Sequence, residues 1–186
     1  MESTQRQRQA KTLRQFRKIH RITGATLFVF FFLVGLTGLL LGWKKNSAGL
    51  LLAPSEKGSS TELAHWLPLD SLHQEACRLL RDSVSAELST EIDRIDVRPD
   101  KGMVKFTFAD HYTGLQLDGA TGQLLRVEVR RADFIEHLHD GSILDRLLGT
   151  PGGILKLLYT SVMGIALLVF TVTGFWLWYG PKRMKK

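Results

Sequence analysis

The sequence predicts a membrane protein in which two transmembrane α-helices flank a small α+β domain lying outside the membrane. Three observations predict it. Two stretches, 22–43 and 157–180, carry no charged residue. Each exceeds the roughly 20 apolar residues needed to cross a hydrocarbon core of about 30 Å. Between them the hydrophobic period changes from about 3.6 to 2, the mark of a helix followed by strands. Charge is also segregated. Residues 1–21 hold seven Lys and Arg against Glu2 alone, and Lys182, Arg183, Lys185 and Lys186 follow Pro181. Residues 44–150 hold 13 basic against 17 acidic side chains.

That distribution sets the expected orientation. Positive charge stays on the cytoplasmic side, so both termini are expected inside and the middle domain outside. In a bacterium this means the inner membrane, with the domain in the periplasm or at the cell exterior. The net charge of +7 sits at the two ends, not on a folded surface, and is read as facing anionic lipid instead of nucleic acid. The first run is expected to be a retained anchor and not a cleaved signal peptide. It is longer than the about 7–15 residues of a signal h-region, and it contains Phe30, Phe31 and Phe32.

Taken in order, residues 1–12 are polar and expected to fray. An amphipathic start with Leu13, Phe16, Ile19 and His20 is expected to lie at headgroup level, and it runs without a break into the first anchor, 13–43 in all. Residues 44–69 contain Pro54, Gly58 and Pro68 without periodicity. They are read as a linker with a short extended piece at 50–53. Ser71 with Gln74 three residues on suggests a capping box, and Leu72, Ala76, Leu79 and Leu80 continue at helical spacing to about 82–85.

Alternation then predicts strands at 95–98, 104–108, 114–118 and 124–129, with turns at Pro99-Asp100-Lys101-Gly102 and Gly119-Ala120-Thr121-Gly122. The α+β domain spans 70–131, a helix on one face of an antiparallel sheet. An interfacial segment, 132–153, holds a helix to about His139 and a further turn through Ile143, Leu147 and Leu148. The second anchor, 154–180, has a small-residue face of Thr160, Gly164, Thr171 and Gly174 and an aromatic belt of Trp176, Trp178 and Tyr179. Pro181 is expected to stop it before the basic tail, 181–186.

One helical face of the first anchor reads His20, Gly24, Leu27, Phe31, Gly35, Gly38, Gly42. Such a face admits a second helix, or a flat cofactor, close to the backbone. The residues alone leave both open. Cys77 is expected to be a buried structural thiol. With one cysteine there is no thiolate zinc pattern and no attachment motif for covalent haem. No nucleophile turn, phosphate loop or dinucleotide fingerprint occurs, so whether the chain is an enzyme is left open.

Three stretches bear a resemblance. They are Ile19-His20-Arg21 leading through Gly24 to Leu36-Thr37-Gly38; Leu117-Asp118-Gly119-Ala120-Thr121-Gly122-Gln123-Leu124; and Leu138-His139-Asp140-Gly141 followed by Val172-Thr173-Gly174-Phe175-Trp176-Leu177-Trp178. In this order they resemble the PepSY-associated transmembrane family, from about Phe16 onward, in a short form with two helices. The resemblance implies a PepSY-like domain outside the membrane. It also implies one of two roles. Some larger members look like b-type haem proteins that pass electrons outward to ferric siderophores, with histidines at helix ends holding the haem. Isolated PepSY domains are instead associated with binding or inhibiting peptidases. Two anchors where the reductase-like members have about four put a complete electron path through one copy in doubt.

A b-type haem needs neutral imidazoles, a nonpolar slot and cations for its propionates. His20 offers an imidazole one turn before Gly24, whose missing side chain makes room, and Arg17, Lys18 and Arg21 are near enough in sequence to meet propionates. The plainer reading of His20 is an interfacial histidine in a basic stretch. His139 is the outer candidate by its match to the family position. His137, two residues away, diverges by about 200° on a helix and is read as a surface or interfacial residue. His65, His73 and His111 are read as solvated or structural. The first anchor rises about 30 Å, so His20 and His139 cannot share one iron. Bis-histidine ligation would need a second copy or another subunit, which makes a homo-oligomer or hetero-oligomer through the transmembrane helices the expected assembly. A ferric siderophore or a redox protein is the expected partner outside. The alternative is a non-catalytic accessory whose PepSY-like domain binds a partner protein or peptidase.

Overall fold

The computed structural model describes residues 2–184, with side chains described for 7–182. Its elements run α1 (Glu2–Trp43), α2 (Leu69–Ser83), β1 (Ile92–Arg98), β2 (Met103–Phe108), β3 (Thr113–Asp118), β4 (Leu124–Val129), α3 (Arg131–Asp140), α4 (Ser142–Leu148) and α5 (Ile154–Met184). Two long apolar helices thus flank a small four-stranded α+β domain. The chain divides into a helical unit, the residues up to Leu39 with those from Glu136 onward, and a second unit, Leu40–Ile135.

In the helical unit α1 is one unbroken helix of 42 residues, about 63 Å at 1.5 Å per residue. The fraying expected for residues 1–12 is not seen from Glu2 on. Gln, Arg, Lys and Ala are good helix formers, and no Gly or Pro interrupts them. The amphipathic start runs unbroken into the apolar stretch, as expected, and its apolar side packs on α5. Leu13 is buried, at the place where a Cβ on Gly180 would sit 2.8 Å from its Cδ2, and Phe16 meets Trp176 with ring centroids 5.8 Å apart. The two long helices are therefore antiparallel neighbours. Their outward side chains, Phe28, Phe32, Leu39, Leu157 and Leu168 among them, are exposed, as lipid-facing residues are. Both helices are long and apolar enough to cross a membrane.

The start of α5 is held by the short helix before it. The Asp145 carboxylate accepts the amides of Leu155 (3.0 Å) and Lys156 (2.7 Å) and the Thr150 hydroxyl. It thereby satisfies two of the N–H groups that every helix start leaves unpaired. At the other end α5 continues through Pro181 to Met184, so Pro181 does not stop the helix. So near the end, its missing N–H removes one backbone bond and the last turn persists.

In the second unit the strands form an antiparallel meander in the order β1-β2-β3-β4. The register pairs Phe106 with Leu115 and Ile95, and Val104 with Leu117 and Val97. Period-two alternation puts Val104, Phe106, Phe108, Leu115 and Leu117 on one face, where Leu72, Ala76 and Leu80 of α2 close the core. The start of α2 differs from expectation. Pro68 is its N-cap residue with no side-chain cap, and Gln74 bonds Asp70 instead of completing a box with Ser71. Pro fits there because its fixed φ and missing N–H suit the edge of a first turn.

The polar face of the sheet is covered by the segment read as a linker. Gln116 donates to the Pro54 carbonyl (3.0 Å) and accepts from the Glu56 amide (2.9 Å). The Gly58 amide donates to Lys101, and Ser59 bonds Asp118 through its amide (2.8 Å) and hydroxyl (3.1 Å). Gly58 is required there, because a Cβ would lie 1.9 Å from the Gly102 carbonyl oxygen. Beneath this strap Glu128, paired with Lys105 and the Gln116 amide, is buried. The extended piece expected at 50–53 is a bend instead, entered through Ala48 and Gly49 with positive φ. Cys77 is partly exposed, its thiol 3.9 Å from the Thr90 carbonyl.

Candidate functional site

The two candidate imidazoles occupy matching positions in the helical unit. His20 of α1 lies against α5, its Nδ1 3.1 Å from the Phe170 carbonyl oxygen and 3.0 Å from Thr173 Oγ1. His139 of α3 lies against α1, its Nδ1 2.8 Å from Thr37 Oγ1. Each threonine precedes a glycine that lies beside the ring. A Cβ on Gly174 would sit 3.2 Å from His20 Cε1, and one on Gly38 would sit 3.4 Å from His139 Cε1. The same three-part contact, histidine on threonine-glycine, is thus built twice. Thr37 and His20 are 17 residues apart on α1, which separates the two contacts by roughly 25 Å along the helix.

Among the described residues neither Nε2 has a hydrogen-bond partner, and no buried side-chain nitrogen or oxygen lacks one. Both Nε2 atoms are therefore at an accessible surface of the unit. No group of three or more His, Cys, Asp or Glu side chains converges among the described residues. Each position offers one imidazole, half of a bis-histidine set.

The glycine face serves two purposes. Gly24 does not face open space: a Cβ there would meet Phe170 Cε2 at 3.0 Å, and Phe170 stacks on His20 with centroids 4.0 Å apart. The room left by Gly24 is taken by a ring of the same chain. Gly35 and Gly164 do face open space, with nothing within 4 Å of a Cβ. They line a groove of about 310 Å³ with Phe31, Val34, His139, Tyr159 and Met163, a volume at the lower end of small-molecule sites. On α5 the residue on the packed face is Thr173, which is buried, and not Thr171, which is exposed.

Charges flank both contacts. Arg17 and Arg21 are exposed beside His20 on α1. Next to His139, Asp140 pairs with Lys156 at 2.5 Å and accepts the Ser142 hydroxyl and amide. Burial opposes ionisation of Asp140, but the bonds from Lys156 and Ser142 outweigh it and hold the carboxyl below its ordinary range. The carboxylate is thereby spent on Lys156 and Ser142, and His139 has Thr37 as its Nδ1 partner.

These contacts join the stretches that carried the resemblance, His20 to Val172-Thr173-Gly174 and His139 to Leu36-Thr37-Gly38. The family model described as PepSY-associated TM region matches residues 17–186. The chain belongs to that family. No curated protein matches it. The PepSY-associated match begins at Arg17 and takes in both histidines and both threonine-glycine pairs. Sequence reasoning selected the histidines and missed Thr37 and Thr173. The signal was present: a Thr-Gly pair follows an apolar run in each anchor, and only its role went unread.

Proposed function

We propose that this chain binds b-type haem through His20 and His139 and passes electrons across the bacterial inner membrane. The acceptor is on the outer side, of the ferric siderophore class, with both termini in the cytoplasm and the PepSY-like domain outside. The observation that carries the reading is the pair of imidazoles at matching positions, each held by Nδ1 and without an Nε2 partner among the described residues. Haem, where bound, supplies a one-electron couple. His20 would hold one such group and His139 another. Gly35 and Gly164 leave the backbone bare at the groove beside His139, Phe31 and Met163 give that groove apolar walls, and Arg17 and Arg21 offer positive charge to propionates beside His20. With one imidazole per position, a second copy of the chain would complete each pair, giving a homodimer with four helices and up to two haems.

A second reading has its own support. His20 is stacked on Phe170 and hydrogen-bonded twice, so it is employed in packing without any ligand. Under it the chain is a membrane-anchored accessory whose PepSY-like domain binds a partner protein or peptidase. The visible spectrum of detergent-purified protein from haem-replete cells, before and after dithionite, separates the two. A sharp Soret band that shifts on reduction, with resolved α and β bands, is expected for bis-imidazole haem. A colourless preparation leaves the accessory reading.

A further inference from the structure

We propose that Thr37 is a positioning residue for His139: its hydroxyl oxygen accepts the Nδ1 proton and leaves the Nε2 lone pair as the donor presented to a metal. The inference rests on the haem reading for its purpose, but not for its geometry. A threonine hydroxyl has one proton to give. That of Thr37 goes to the Leu33 carbonyl one turn back, at 2.6 Å, a bond helical threonines commonly make. Its oxygen can then only accept at the 2.8 Å contact with His139 Nδ1. With the hydroxyl proton on Leu33, the proton of this contact belongs to the ring, and the proposed form of the neutral imidazole is the Nδ1–H tautomer. A hydrogen bond of this kind from the second ring nitrogen is what orients metal-binding histidines in general.

The contact at His20 provides the internal comparison. Thr173 also spends its proton one turn back, on the Val169 carbonyl at 2.7 Å. Here, however, Nδ1 has a second acceptor, the Phe170 carbonyl at 3.1 Å, which cannot donate under any assignment. Two partners favour Nδ1–H at His20, and the preference at His139 rests on Thr37. The two threonines are thus alike in position and unequal in consequence. Losing Thr37 frees the ring of His139, and losing Thr173 leaves His20 held by the backbone.

The test uses the full-length chain in detergent, grown without haem and labelled with ¹⁵N-histidine. Spectra are taken above the ordinary imidazole pKa of about 6.5, with signals assigned by His20→Gln and His139→Gln. Long-range ¹⁵N–¹H correlations then report which nitrogen carries the proton. The expected result is Nδ1–H for both rings in the unaltered chain, which requires no substitution to fold. Thr37→Val should lose that preference at His139, Thr37→Ser should keep it, and Thr173→Val should leave His20 unchanged. An Nε2–H signal at His139 in the unaltered chain, or no change on Thr37→Val, overturns the proposal. This readout is independent of haem, so the expected tautomers here beside a colourless preparation from haem-replete cells would sink the haem reading alone. Where haem binds, Thr37→Val should weaken it by the 10–100-fold typical of lost outer partners at metal sites, and Thr173→Val by less.

Discussion

Replacing the helix glycines one at a time by alanine separates packing within the chain from open space beside it. Gly24→Ala places a methyl 3.0 Å from Phe170 Cε2, about 0.5–1 Å inside the preferred carbon–carbon separation. The ring cannot swing away freely, because His20 stacks on it at 4.0 Å and Phe31 lies at 5.4 Å. Overpacking of this kind costs about 1–3 kcal/mol, and the helix gains about 0.5–1 kcal/mol from losing a glycine, so the net loss is at most about 2.5 kcal/mol and centres near 1 kcal/mol. Gly174→Ala, at 3.2 Å from His20, should lose less, and Gly38→Ala, at 3.4 Å from His139, should be near neutral. Gly35→Ala and Gly164→Ala meet nothing within 4 Å and should be neutral or stabilising. Thermal unfolding followed by far-ultraviolet circular dichroism, on haem-depleted protein in one detergent, gives the order. If Gly35→Ala destabilises as much as Gly24→Ala, the open face is packed against something outside this chain, and the ranking from intrachain contacts is refuted.

Two predictions concern the second unit. Phe106 is fully buried at the centre of the core, so Phe106→Ala should cost about 3–5 kcal/mol. That is a large share of the stability a domain of this size possesses, and denaturant unfolding of the intact protein would show the loss. Asp118 is buried and accepts from Ser59, Ala120 and Thr121. Burial works against its ionisation, but these bonds prevail and hold its pKa below the ordinary 3.8. Because the folded value is the lower one, its stabilisation is present above pH 3.8 and is lost as the pH falls through the folded value. Asp118→Asn should therefore destabilise by about 1–3 kcal/mol near neutrality, with the gap to the unaltered chain closing below pH 3.8 in a pH series of unfolding curves.

The parts of the fold legible in the sequence are those with a strong local period. Uninterrupted apolar runs announced α1 and α5, and alternation placed β2 and β4 within a residue of their ends. The misses share a cause, which is long-range partnership. The strap through Pro54, Gly58 and Ser59 has no periodicity, because its order comes from bonds to Gln116, Asp118 and Lys101 far along the chain. The polar side chains of Gln116 and Glu128 on that sheet face carry no local sign of the strap that covers them. At the site, His20 and His139 stood out by residue type. Thr37 and Thr173 did not, since a threonine in an apolar helix ordinarily bonds its own backbone. Only their contact with imidazoles from other helices distinguishes them. Gly24 was read as an empty slot because sequence spacing cannot show that Phe170, 146 positions later, fills it.

The measurement that bears most directly on the proposed function is the haem content per chain of the unaltered protein, His20→Ala, His139→Ala and the double variant. It would be taken from haem-replete cells by a pyridine haemochrome assay, with chain concentration from amino-acid analysis. Two haems per homodimer predict about one per chain, about half that in each single variant, and none in the double variant. Equal content in all four preparations, or none in the unaltered protein, would contradict ligation by His20 and His139.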